Sequence, residues 1–288
     1  MELSIKALLR KIFKNLVDST LPLGRVEIGM ADVSYQDIEP WGALGFTSTG
    51  AGSDFLDRLL ERASIQSKLL SLNYQNKGGY ITVGGIDVKK FAGPLQTAPL
   101  IPTSNNADAE FSTNDPNSFF VHRVIVNKLS VTADDGTNTF IWDKKTAPKG
   151  KEFILDTGAP NCWIPFNIWS ELVRSLHVSA NYNKVECSAM EASKGTINFS
   201  FGTTTIKVPF KDFFTRIGDS CFLAAKRGRI GILGASFLRS AYLALDYSNH
   251  KAYLAQTADC GTETVAIGSG PNAVSDITSL VGKCPAGN

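Results

Sequence analysis

Residues 153–159, with the sequence Phe-Ile-Leu-Asp-Thr-Gly-Ala, limit the possible folds more than any other part of the chain. An apolar strand there ends on an acid, a hydroxyl residue and a glycine. The strand would hold the Asp156 carboxylate rigidly, and Gly158 would permit a tight turn. Backbone N–H groups of that turn and the Thr157 hydroxyl can donate hydrogen bonds to the carboxylate. The pattern predicts either an ordinary turn that contains an aspartate or a carboxylate positioned for chemistry.

The composition predicts a globular protein built mainly of strands. Of the 288 residues, 43% are hydrophobic and 19% are charged, which is enough apolar surface for a large core in one domain or two lobes. The net charge of +2 gives no reason to expect a nucleic-acid partner. No segment approaches the roughly 20 apolar residues that a membrane span requires. Short runs rich in Thr, Val and Ile favour strands over helices.

Apolar periodicity and turn residues predict the main elements before and after the motif. A helix is expected from Phe55 to Ile65, and hairpins are expected around residues 76–79 and 134–136. Further expected elements are an amphipathic N-terminal helix over 1–21, strands over Val26–Ala31 and Trp41–Phe46, and a polar loop over 102–118.

A second segment lies about 76 residues after the motif, where residues 231–247 read Gly-Ile-Leu-Gly-Ala-Ser-Phe-Leu-Arg-Ser-Ala-Tyr-Leu-Ala-Leu-Asp-Tyr. Together with the motif, it resembles the C-terminal lobe of the pepsin-like aspartic proteases, especially the fungal secreted and cell-surface type. In that family a strand ending in Asp-Thr-Gly enters a ψ-shaped loop that an apolar-apolar-Gly strand closes. The matching residues are Asp156, Thr157, Gly158, Ile232, Leu233 and Gly234. Two residues depart from the family pattern: Ala159 stands where Ser or Thr is commoner, and Ala235 stands where Asp is frequent.

The resemblance implies an all-β, bilobal acid protease fold with a few short helices and an incomplete N-terminal lobe. It divides the chain into an atypical N-terminal helix (1–21), a partial N-terminal lobe (22–118), a C-terminal lobe (119–258) and a tail (259–288). It also implies aspartic endopeptidase activity, in which water activated by Asp156 hydrolyses a peptide bond. The other residues of the match would support the active-site loop.

Enzymes of this class use two aspartates, and the resemblance provides only one. Asp156-Thr157-Gly158 is the single Asp-Thr/Ser-Gly in these 288 residues. If Leu44 and Gly45 correspond to Leu233 and Gly234, the equivalent spacing places the first aspartate before Met1. A truncated chain is therefore expected, one that has no signal peptide and is inactive by itself. Two alternatives stay open: a non-catalytic homologue that binds extended peptides, and a site completed by a second copy of the chain.

The resemblance further implies a disulfide between Cys187 and Cys221, and Cys260 and Cys284 are candidates for a second one. Cys162 is then unpaired, and we interpret it as a small apolar side chain rather than a nucleophile, because no histidine is near it in the sequence. Neither a cofactor nor a metal is expected, because there is no Cys-x-x-Cys pair and the three histidines are far apart. His122 is expected on the surface or in a strand. The expected partner is a polypeptide substrate, bound by a monomer outside the cell, in the vacuole or at the cell surface. Asn198 begins a glycosylation sequon.

Overall fold

The computed structural model describes residues 55–75, 78–102, 121–143, 145–178, 184–270, 273 and 280–285. The chain divides into two compact units, residues 1–66 and residues 67–288. The predicted helix over 1–21 and the predicted strands Val26–Ala31 and Trp41–Phe46 lie outside the described residues. Most of the predicted polar loop over 102–118 lies outside them as well.

Strands dominate the described residues, so the all-β class is confirmed. The strands, in chain order, are β1 (Leu69–Gln75), β2 (Gly78–Val83), β3 (Gly85–Asp87), β4 (Phe91–Pro99), β5 (Arg123–Val126), β6 (Lys128–Thr132), β7 (Asn138–Trp142), β8 (Lys151–Leu155), β9 (Cys162–Pro165), β10 (Lys184–Val185), β11 (Thr196–Phe201), β12 (Thr204–Pro209), β13 (Phe214–Ile217), β14 (Ser220–Leu223), β15 (Ala225–Gly228), β16 (Gly231–Leu233), β17 (Ala241–Asp246), β18 (Lys251–Thr257), β19 (Thr264–Ala266) and β20 (Val281–Lys283). The helices are α1 (Phe55–Glu61), α2 (Phe166–Ser175), α3 (Cys187–Ala192) and α4 (Ala235–Leu238), with a 3-10 turn at Phe210–Asp212.

Helix α1 belongs to the first unit and is shorter than the periodicity predicts. It ends at Glu61, four residues before Ile65. Ala63 adopts a left-handed conformation with φ of 53°, and its N–H and that of Ser64 donate to the carbonyls of Leu60 and Leu59. These bonds satisfy carbonyls at the helix end and turn the chain away, which apolar spacing alone does not reveal.

The largest sheet of the second unit has six strands in the order β2-β1-β17-β18-β4-β20. Strands β1 and β2 pair antiparallel with Gln75 opposite Gly78, which confirms the hairpin predicted around residues 76–79. Strand β1 then pairs with β17, and β4 pairs with β18. The sheet therefore unites strands from both sides of the proposed lobe boundary at residue 118, and the boundary itself stays a prediction.

A five-stranded sheet in the order β15-β9-β16-β8-β5 carries the Asp-Thr-Gly motif. Its pairs β16–β8 and β15–β9 are parallel, whereas β5–β8 and the single β16–β9 bridge are antiparallel. A four-stranded antiparallel sheet has the order β12-β11-β6-β7. Its strands β6 and β7 form the hairpin predicted around residues 134–136, and the Ala133 N–H donates to the Thr137 carbonyl at 2.8 Å, which confirms the prediction.

The main core of the second unit packs aromatic side chains beneath the motif. Phe237 of α4 is fully buried, and its ring lies edge-on to Phe199 with 5.1 Å between the centroids. Trp142 stacks on Phe153 of β8 at 5.9 Å. Each buried aromatic side chain of this size contributes roughly 1.5–3 kcal/mol to the stability of the folded state. This packing fixes the strand that ends on Asp156.

Two disulfides are present, as the sequence analysis anticipates. Cys187 bonds to Cys221, which ties α3 to β14. Cys260 bonds to Cys284 and fastens the C-terminal segment beside β20. Each bridge closes a loop of tens of residues, and in the chain-entropy model such a loop contributes about 3–4 kcal/mol by restricting the unfolded chain.

The glycosylation sequon at Asn198 lies within β11 and is not a surface site. The Asn198 side chain is buried, and its amide nitrogen donates to the Thr132 hydroxyl at 2.8 Å. A glycan on this amide would have to lie in solvent, so the folded structure is incompatible with glycosylation at Asn198. The motif could not reveal this, because burial of β11 follows from its pairing with β6 and β12.

His122, just before β5, is more enclosed than a surface residue. Its ring packs edge-on against Tyr247 with 5.3 Å between centroids, and its Nε2 is buried with no hydrogen-bond partner in the described part of the chain. Burial lowers the pKa of His122 from 6.5 to about 4. The folded protein therefore holds this imidazole neutral in mildly acidic solution.

The His122 environment predicts acid-dependent stability. As the pH falls from 6.5 towards 4, the unfolded chain takes up a proton at His122 and the folded chain does not, so the folded state loses stability. The loss reaches about 3 kcal/mol at 1.36 kcal/mol per pKa unit, and it grows no further once both states are protonated. Denaturant unfolding of wild type and His122→Phe across this range should show a shallower decline in the variant.

The control is His177→Asn, which replaces an exposed histidine whose φ of 53° asparagine tolerates. Its decline with pH should match that of wild type. Equal slopes for wild type and His122→Phe would contradict the prediction.

Candidate active site

Asp156 follows β8 directly, at the carboxyl end of a strand paired on both sides. Leu155 is buried, and the Asp156 N–H donates to the Leu233 carbonyl of β16 at 3.1 Å. The neighbouring pairs join Phe153 to Gly231 and Leu155 to Leu233. The backbone of the aspartate is thus held by a parallel strand that is distant in the sequence.

The carboxylate itself has one close donor and remains accessible. The Gly158 N–H donates to Asp156 Oδ1 at 2.8 Å. Asp156 is half-buried, whereas Thr157 and Gly158 are exposed. In contrast to the expectation from sequence, the Thr157 hydroxyl makes no hydrogen bond to the described residues. Within that part of the chain no lysine or arginine forms an ion pair with Asp156, so its oxygens are available to a ligand.

The loop of residues 156–161 crosses over β16 before the chain returns as β9 on the other side. Gly234, immediately after β16, lies under this crossing with φ of −91°. A Cβ at this position would come within 2.5 Å of the carbonyl oxygens of Ala159 and Asn161. The adjacent Ala235 N–H donates to the Ala159 carbonyl at 2.7 Å. Gly234 is therefore required by close backbone approach rather than by an unusual φ.

Ser236 is a supporting residue that sequence reasoning missed. It is fully buried, accepts the Cys162 N–H at 3.1 Å and donates to the Ala224 carbonyl at 2.8 Å. The hydroxyl thereby ties α4 to the start of β9 and to the end of β14. The sequence feature that could have indicated this role is a single hydroxyl residue among the otherwise apolar residues of α4.

Cys162 lies beside this hydroxyl and is an inert core residue, as expected. It is fully buried and unpaired, and its burial raises the pKa of the thiol to about 11. A thiol in this state carries almost no thiolate near neutral pH, so it is not a nucleophile.

A cavity of about 330 Å³ opens at the carboxylate. Its lining residues are Asp156, Gly158, Ala159, Pro160, Asn161, Trp163, Lys226 and Ile232. Trp163 is half-buried in this wall. Lys226, which the sequence analysis did not single out, is exposed and lies on β15.

A larger cavity of about 610 Å³ lies at the other ends of the same strands, where Lys151 and Gly231 begin β8 and β16. Its wall does not include Asp156. The position of the carboxylate, not the cavity volume, therefore decides which of the two is the candidate active site. Among the described residues no group of His, Cys, Asp and Glu side chains could hold a metal ion.

A strand that ends in Asp-Thr-Gly and a loop that crosses a parallel apolar-apolar-Gly strand are typical of the pepsin-like fold. The profile of the eukaryotic aspartyl protease family matches residues 33–257. The chain belongs to this family.

Individual relatives are similar over most of the chain. A probable aspartic-type endopeptidase, opsB, of Aspergillus fumigatus is 25% identical over 77% of the chain and 46% of its own length. Secreted aspartic protease 8 of Candida albicans is 28% identical over 82% of the chain and 55% of its own length. Aspartic proteinase yapsin-3 of Saccharomyces cerevisiae is 30% identical over 69% of the chain and 38% of its own length. The chain thus spans about half the length of the curated relatives it matches.

The crossing at Gly234 predicts that Gly234→Ala displaces the Asp156 loop. The added methyl group cannot fit at 2.5 Å from two carbonyl oxygens, so either the loop or β16 must shift. Such overpacking costs roughly 1–3 kcal/mol. Denaturant unfolding should report that loss, and NMR should show changed amide shifts at Asp156 and Gly158.

The comparison variant is Gly218→Ala, in the turn between β13 and β14, where no atom lies within 4 Å of the new methyl group. Its φ of 60° makes alanine strained, so stability should fall without any change at Asp156. Unchanged Asp156 and Gly158 shifts in Gly234→Ala would show that the crossing does not position the carboxylate.

Proposed function

We propose that this chain supplies one catalytic carboxylate, Asp156, of an aspartic endopeptidase. The supporting observation is the state of the Asp156 side chain: it is half-buried at the end of the interior strand β8, accepts one backbone N–H and lines a cavity. The supporting loop consists of Thr157, Gly158, Ile232, Leu233 and Gly234.

The proposed reaction needs two carboxyl groups in different protonation states. Aspartic proteases are the standard example of two aspartates that share one proton, because two like charges so close cannot both ionise cheaply. The ionised carboxylate takes a proton from water as the water attacks the peptide carbonyl, and the protonated carboxyl donates to the carbonyl oxygen. Asp156 can fill either role but not both at once. These 288 residues contain no second Asp-Thr/Ser-Gly, so the partner carboxylate does not belong to such a motif within them.

The proposed substrate is a polypeptide, and the proposed location is extracellular, vacuolar or at the cell surface, with the chain acting as a monomer. The two disulfides support an oxidising compartment, since such bonds persist mainly outside the cytosol. The name of the Candida albicans relative, a secreted protease, agrees with this location. In the described residues no helix is long and apolar enough to cross a membrane.

A second candidate is a non-catalytic protein that binds extended peptides. It is favoured by the single Asp-Thr-Gly in the sequence. The cavity contains apolar walls, Asn161 and Lys226, which are groups suited to holding a peptide without cleaving it.

Pepstatin, whose central hydroxyl group mimics the tetrahedral intermediate, tests the role of Asp156. The 288-residue chain should bind pepstatin, and Asp156→Asn should weaken binding about ten-fold to a hundred-fold, the size expected for losing a hydrogen bond to a charged group. Isothermal titration calorimetry at acidic pH gives the two affinities. The chain alone should show no pepstatin-sensitive peptide hydrolysis, because one carboxylate cannot be acid and base together.

The matched control is Asp135→Asn. Asp135 Oδ1 accepts the Thr137 N–H at 2.8 Å, the same local geometry as at Asp156, but on an exposed hairpin turn. Binding that is unchanged in Asp156→Asn would disprove the catalytic assignment and favour a peptide-binding role. Hydrolysis abolished by Asp156→Asn would instead show that these 288 residues hold a complete site.

A further inference from the structure

The cavity at Asp156 is lined by residues of opposite charge, the carboxylate of Asp156 and the cationic Lys226. Lys226 is the second residue of β15, the edge strand of the five-stranded sheet, and it pairs in register with Trp163 of β9. Lys226 lines the same 330 Å³ cavity as Asp156. The apolar residues of the lining include Trp163 and Ile232, and Asn161 is its one neutral polar side chain.

Lys226 has no carboxylate of its own within the described residues. The ion pairs formed there involve other lysines and arginines, such as Lys90 with Asp259 and Arg216 with Glu191. Lys226 is exposed, and among the described residues neither Asp156 nor any other carboxylate forms an ion pair with it, so its ammonium can pair with an anion that enters the cavity. The positive charge is therefore available for a ligand.

The neighbouring basic residues point elsewhere, so the charge in the cavity is specific to Lys226. Successive side chains of a strand lie on opposite faces. The Arg227 guanidinium accordingly lies over the Phe166 ring, 5.1 Å from its centroid. Arg229 lines the larger cavity at the other end of the sheet. Of these three cationic residues, Lys226 alone lines the cavity at Asp156.

We propose that this cavity selects an acidic side chain of the polypeptide substrate, with Lys226 as the specificity-determining residue. A glutamate side chain fits best, because its two methylene groups can pack on Trp163 and Ile232 while its carboxylate reaches the Lys226 ammonium. The inference rests on the proposed function, since Asp156 is the group that acts on the peptide bond beside this side chain. Lys226 sets which peptides are held and takes no part in the chemical step.

Statine peptides of the pepstatin type test the inference by binding alone. A set is made in which each residue flanking the statine is in turn glutamate, its neutral isostere glutamine, or lysine, and affinities for the 288-residue chain are measured by calorimetry. At one position the glutamate peptide should bind about five-fold to ten-fold more tightly, as expected for a partly exposed charge pair. The preference should shrink as salt is raised, because salt screens exposed charges.

Three variants separate the charge of Lys226 from the general charge of β15. Lys226→Gln should abolish the glutamate preference, and Lys226→Glu should reverse it in favour of a lysine peptide. Arg227→Gln removes the same charge one residue along the same strand but on the opposite face, so it should keep the preference. Both positions are exposed, and thermal unfolding should confirm that all three variants fold.

The possible outcomes distinguish failure of the Lys226 inference from failure of the proposed function. Equal affinity for glutamate and glutamine peptides at every position, or a preference that survives Lys226→Gln, would overturn the inference and leave Asp156 as a catalytic carboxylate. Peptides whose binding does not depend on Asp156 would overturn the proposed function as well. A preference lost equally in Lys226→Gln and Arg227→Gln would mean that only the overall charge of the strand matters, which also overturns the inference.

Discussion

The close crossing of the 156–161 loop over Gly234 is the contact on which the site depends. The carbonyl oxygens of Ala159 and Asn161 lie where a Cβ of residue 234 would be, so backbone packs directly on backbone. This approach allows β8 and β9 to lie on either side of β16 in one sheet. Asp156 consequently lies at the carboxyl end of β8, a strand that pairs with β16 on one side and with β5 on the other.

Partial burial gives the carboxylate its chemical character. A fully buried aspartate would need several donors or a cation to remain ionised, and a fully exposed one would be surrounded by water and poorly oriented. Asp156 has one backbone donor and an open cavity in front of it. This state suits a group that must exchange a proton with a bound water, and it also leaves room for a substrate side chain near Lys226.

Much of the fold was predictable because its signals are local. The hairpins at 76–79 and 134–136 follow from turn residues between apolar runs, and both are present. The position of Asp156 after β8 follows from a five-residue strand and the tripeptide after it. The pairing of Cys187 with Cys221 came from family resemblance and not from spacing, because spacing alone permits several connectivities. The early end of α1 was missed, since a left-handed Ala63 has no sequence signature.

The sequence by itself determined which residue is the proposed catalytic carboxylate, which strand carries it and which glycine follows the strand beside it. The tertiary structure alone decided that Lys226 shares the cavity, that Ser236 fastens the loop from below and that the Asn198 amide is buried. These three features depend on pairings between strands and helices far apart in the chain. Local composition limits which elements form, but the register and order of a sheet decide which side chains meet.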